Sequence, residues 1–100
     1  MKELPEQFIG IGEVKNTNFK QLKKSDKGYM YELTDLEDNS KRYEVFERKE
    51  QKESEMVLND VSVHYEAKIR YPKSNDFGIW AWCYTIYSQA EKKYNELQLP

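Results

Sequence analysis

The sequence predicts an α+β domain: about five antiparallel strands in a meander-like sheet, with one C-terminal helix packed on it. Three observations predict it. Val61, Val63, Tyr65, Ala67, Ile69 and Tyr71 occupy every second position, with Ser62, His64, Glu66, Lys68 and Arg70 between them. A helix cannot present a period of two as one face. Upstream, two shorter alternating runs are separated by clusters of turn residues. Downstream, Ala90, Tyr94 and Leu97 follow at i, i+4 and i+7, which marks a helical face.

The elements follow in chain order within one domain spanning residues 1–100. Residues 1–7 are polar and read as a loose N-terminal tail. Phe8, Ile9, Ile11 and Val14 form an apolar cluster broken by Gly10 and Gly12, which suggests a bent first strand with a close backbone approach. No Gly-Lys-Ser/Thr and no helix start follow, so these glycines are not a phosphate cradle.

Residues 18–24 and 29–35 read as a hairpin. Ser25-Asp26-Lys27-Gly28 joins them, with Gly28 expected to supply a positive φ. Asp35 to Ser40 is a second turn, and Lys41 to Arg48 a third strand, with Glu44 expected among cations on a solvated face. Arg48 to Glu55 is a charge run that reads as a long mobile turn.

Val61 to Tyr71 then reads as one long strand with one buried and one wet face. Pro72 ends it, and a polar loop leads to Phe77. Residues 79–87, Ile-Trp-Ala-Trp-Cys-Tyr-Thr-Ile-Tyr, are the most apolar stretch and read as a central strand covered on both faces. Ser88 and Glu91 have capping-box spacing, which starts a helix from about Ser88 to Gln98. One longer helix from Phe77, capped by Asp76, is the alternative.

Composition bounds the function. Leu, Ile, Val and Phe total 21 of 100 residues, close to the roughly 20% at which chains stay disordered. Eight Tyr and two Trp compensate, so the core must be substantially aromatic. The net charge of −2 is unlike that of a strongly basic nucleic-acid binder. It is uneven: +2 over residues 1–30, −5 over 31–60 and +1 over 61–100. One cysteine excludes an internal disulfide. No signal peptide or membrane span is legible, so the expected location is cytoplasmic.

Chemistry is sparse. His64 and Cys83 alone cannot make a zinc site, and no cofactor is expected. Cys83 stands among Trp and Tyr and reads as a small buried hydrophobe with an inert thiol. Glu13, Glu32, Glu44 and Glu66 alternate with cations and read as cross-strand ion pairs rather than a glycosidase pair. The expectation is not an enzyme but a small module that binds another protein, as an adaptor, an inhibitor or an accessory factor. Its size and Lys/Asn/Glu-rich composition fit a bacterium, a phage or a mobile element.

Tyr, Trp and Phe are enriched at interface cores, so the expected binding surface is the loop Tyr71, Lys73, Asn75, Asp76 and Phe77, with Trp80 beside it. The alternative is a single-stranded nucleic-acid binder that stacks bases on aromatics beside Lys20, Lys23, Lys24 and Lys27. A third reading is a ligand pocket between sheet and helix. Pairing of an edge strand with a second copy would make a homo-oligomer.

Overall fold

Strands form where the period-two runs stand between turn residues. In the computed structural model, which describes residues Met1–Pro100, they are β1 (Gln7–Ile9), β2 (Thr17–Lys24), β3 (Gly28–Asp35), β4 (Lys41–Glu47), β5 (Glu50–Gln51), β6 (Ser54–Leu58), β7 (Val61–Tyr65), β8 (Lys68–Ile69) and β9 (Ala81–Tyr84). The single α-helix, α1, spans Tyr87–Leu97. One sheet has the order β1-β2-β3-β4-β9, antiparallel throughout. Its middle is the expected meander, and α1 packs on it.

Local chemistry explains the turns. Ser25 Oγ accepts the N–H groups of Lys27 and Gly28, each at 3.1 Å. Gly28 is needed for a reason other than its expected positive φ, which it does not adopt. A Cβ there would stand 2.6 Å from the Phe46 carbonyl and 2.9 Å from Leu97 Cδ1, so the glycine lets β4 and α1 close on β3. Asp35 Oδ1 accepts the Glu37 N–H at 2.8 Å and closes the next turn.

The register sorts the side chains into two layers. One face holds Phe8, Phe19, Tyr31, Tyr29 and Phe46. Tyr71 lies over it as a hub, its ring meeting Phe8, Phe19, Tyr31 and Phe46 edge-on at 4.8–5.9 Å between centroids. Leu33, Ile69, Trp80 and Ala81 complete this cluster. The other face presents Met30 and Val45 to Ala90 and Tyr94 of α1. A bulge between Gln21 and Lys23 adds Leu22 to that second cluster.

Several expectations need correction. Residues 1–7 are tied down: Glu3 accepts from Arg48 at 2.7 Å and from Tyr29 at 2.7 Å, and Tyr31 donates to the Pro5 carbonyl. The apolar run 79–87 gives only the four-residue β9, and it lies at the sheet edge. Nor is it covered on both faces: Ala81 is buried, Trp82 and Tyr84 are half-buried, and Cys83, Ile79 and Ile86 are exposed. The helix starts without the Ser88–Glu91 box: Ile86 takes the cap position with no side-chain cap. Glu91 instead pairs with Lys23 at 3.3 Å, because that cation on β2 faces it.

The long strand Val61 to Tyr71 is interrupted. β7 pairs with β6, and β8 pairs with β5 within the supposed mobile turn. Both ladders share one register, since every paired number adds to 119. They form one hairpin from Glu50 to Ile69 that opens at Lys52-Glu53 and Glu66-Ala67. At that register Glu53 and Glu66 stand opposite each other, and like charges so placed weaken a ladder. Asn59 and Asp60, both at positive φ, make the two-residue turn at the tip. This hairpin reaches out as an arm. At roughly 3.3 Å per residue, residues 52–58 extend about 23 Å. The radius of gyration is 15.2 Å, above the ~13 Å of a compact chain this long.

Candidate functional site

Two surfaces stand out: a cleft on the face of the sheet opposite α1, and the arm. The space between sheet and helix is filled by Met30, Val45, Ala90 and Tyr94, so the ligand pocket expected there does not exist.

The cleft lies between two loops. One runs from Ile9 through the 3-10 turn Gly12–Val14; the other runs from Tyr71 through the turn Ser74–Asp76 to Gly78. A Cβ at Gly10 would clash with the Val14 carbonyl, so the glycine lets the first loop fold back over β2. In the second loop, Asp76 Oδ2 accepts the Lys73 N–H at 2.8 Å and faces Arg70 at 3.7 Å. The cleft encloses about 1010 Å³, and ten of its seventeen lining residues are hydrophobic. That is the size and character of a small-ligand site.

Of the six loop residues nominated from sequence, Tyr71, Lys73 and Phe77 line this cleft. Tyr71 does so from the core rather than from an exposed loop. Asn75 is exposed and outside the cleft, and Asp76 is engaged in its own turn. Trp80 is 9% exposed and belongs to the core, with the Arg70 guanidinium over its ring. The aromatic surplus is therefore mainly core.

Sequence reading missed the polar centre of the cleft. Glu44 shares its face with Tyr31 and Cys83, not with a row of cations, and is only 9% exposed. Tyr71 donates to its Oε1 at 2.7 Å. No lysine or arginine forms an ion pair with it, although Arg42 is near enough to favour its charge. Burial raises its pKa, and the Tyr71 hydrogen bond and Arg42 only partly oppose this. Cys83, directly opposite on β9, is exposed rather than buried as expected, because the edge strand opens to solvent beside the cleft. Partial burial, then the Glu44 charge, push its thiol above the ordinary range. No three His, Cys, Asp or Glu side chains converge as metal ligands.

The lysines of the first hairpin are mostly engaged. Lys23 pairs with Glu91 and sits over the Tyr94 ring; Lys24 faces Glu3 at 3.6 Å; Lys27 donates to the Gln98 carbonyl at 3.1 Å. Lys20 alone of the four has no ionic or hydrogen-bonded side-chain partner. The rings that could stack bases lie under Tyr71 or α1.

The arm is amphipathic. Met56 pairs with Val63 and Leu58 with Val61, so these four share one side with Tyr65. The other side carries Glu55, Val57, Ser62 and His64, and His64 lies 3.4 Å from Glu53 and 3.7 Å from Glu55. Nothing in the chain covers the apolar side. Val61 is 60% exposed, Leu58 51% and Met56 49%, whereas Ile69 at the root of the same alternating row is 2% exposed. The expected buried face is thus real only at its root. No helix of the chain is long and apolar enough to cross a membrane. No family model, curated protein or solved structure matches the chain.

Proposed function

We propose that this chain is a non-enzymatic binding module that docks another protein through the β6–β7 arm. One observation carries the reading: Met56, Leu58, Val61, Val63 and Tyr65 form a continuous apolar face on a projecting hairpin. A two-stranded hairpin is marginal in water unless another layer covers it. Full burial of each such side chain is worth about 1.5–3 kcal/mol, enough to drive docking once ordering costs are met.

Charge indicates the kind of partner. Residues 53–66 carry Glu53, Glu55, Asp60 and Glu66 and no Lys or Arg. That segment is −4 in a chain of −2, leaving +2 on the rest. The matching surface is an apolar strip rimmed by lysine or arginine on a different protein. A second copy would set acidic arm against acidic arm. Adaptor, inhibitor and accessory-factor roles all fit such a module.

The test compares the tagged full chain with its Val61→Asp/Val63→Asp variant in affinity purification with quantitative mass spectrometry. The expected result is a partner with a basic-rimmed apolar strip, recovered by the wild type and lost by the variant, while the unfolding midpoint of the body hardly moves. Equal recovery by both chains overturns the proposal. So does sedimentation showing that the arm is covered by a second copy.

A further inference from the structure

We infer that the cleft between the Ile9–Val14 and Tyr71–Gly78 loops is a binding site for a small amphiphilic ammonium compound, with Glu44 as the anchor for its cationic group. This site is independent of the arm and lies on the opposite side of the sheet from α1. Three observations carry it. The cleft is large and mostly apolar, with Phe8 and Phe77 among its walls. Its floor holds one carboxylate, 9% exposed, in a setting where an uncompensated charge is costly. That carboxylate is half satisfied: Oε1 receives the Tyr71 hydroxyl, while no protein group donates to Oε2.

No fully buried side-chain oxygen in the chain lacks a partner, so Oε2, which has none, retains some exposure on a residue that lines the cleft. A ligand cation is what the site lacks. Lys73 stands on the rim without an ion pair to Glu44, and Arg42 acts only at a distance. An ammonium N–H on Oε2 would complete the carboxylate's hydrogen bonding, and an apolar body would cover the aromatic walls. Burial already raises the pKa of Glu44, and a bound cation would reverse that shift. The groups facing Glu44 are Tyr31 on β3, Arg42 on its own strand, Tyr71 and Cys83, with Glu13 and Lys73 on the two loops. Among them only the carboxylates carry a negative charge near neutral pH, and Glu44 is the buried one.

Cys83 provides the readout, since it is exposed and directly opposite Glu44. The probe is 2-phenylethylammonium, and the control is 2-phenylethanol, its neutral near-isostere. Saturating ammonium near neutral pH should slow alkylation of Cys83 by N-ethylmaleimide several-fold, while the alcohol does little. Glu44→Gln keeps the acceptor for Tyr71 and should weaken ammonium affinity about tenfold or more. In the wild type, protection should fade as Glu44 is protonated on acidification, which tests the anchor without any variant. Equal protection by ammonium and alcohol, undiminished protection in the Gln variant, or no protection at millimolar probe each overturns the inference.

Discussion

The pairs β3–β4 and β6–β7 are both antiparallel and both place an apolar side chain at every second position. In the first, Tyr31 and Phe46 meet the Tyr71 ring on one face, and Met30 and Val45 meet α1 on the other. In the second, Met56, Leu58, Val61 and Val63 meet only one another across the hairpin, and Met56, Leu58 and Val61 are exposed. The same pattern thus yields a core in one place and an open face in another. Alternation states which face must be covered. It does not state that the same chain supplies the cover, and that gap is where the binding function is proposed.

The largest expected effect sharpens this contrast. Phe46→Ala should cost about 3–5 kcal/mol in denaturant unfolding, because Tyr29, Tyr31, Tyr71 and Trp80 all pack on that ring. Val63→Ala at the equivalent place on the arm should change stability by less than about 0.5 kcal/mol. Comparable losses would mean that the arm packs on the body.

A smaller effect separates two tyrosines of one alternating row. Tyr71→Phe removes the donor to buried Glu44 and should cost about 1–3 kcal/mol. Tyr65→Phe, on the exposed arm, should be neutral in the same unfolding assay. A neutral Tyr71→Phe would show that water already satisfies Glu44.

The smallest effect concerns the N-terminal tie. The Arg48 hydrogen bond, then that of Tyr29, hold Glu3 down at about 2 instead of 4.5. The folded-state value is depressed, so its contribution is complete above 4.5 and is lost as pH falls toward about 2. Glu3 is partly exposed, so solvent screening keeps this below about 1 kcal/mol. Unfolding midpoints measured down that range should fall more for the wild type than for Glu3→Gln. Parallel curves would remove Glu3 from the account of acid stability.

Legibility followed the range of the interactions. The β2–β3 hairpin, β4 and the helical face of Ala90, Tyr94 and Leu97 were readable because turn chemistry and periodicity are local. The edge position of β9 was not, because two-sided apolarity looks the same at the edge of a sheet as at its centre. The capping box failed because the helix starts earlier, with Ile86 at the cap and Ser88 already inside it, and Glu91 turns to Lys23 and Tyr87 instead. At the candidate sites, Lys73 and Phe77 were placed near a real cleft. Glu44 reads as solvated because charged pairs, Lys41-Arg42 and Glu47-Arg48, stand on either side of it in sequence, while its cross-strand and overlying neighbours, Tyr31 and Tyr71, are aromatic. No one-dimensional signal separates those two settings. The openness of the arm was equally hidden, since the alternating row is continuous from Ile69 to Val61.

Native-state amide hydrogen exchange on the isolated chain tests that openness most directly. The amides that pair β6 with β7 should exchange by local opening, orders of magnitude faster than those pairing β3 with β4, which await global unfolding. Equal protection of the two hairpins would mean that the arm is already covered within the free chain, and would contradict the account.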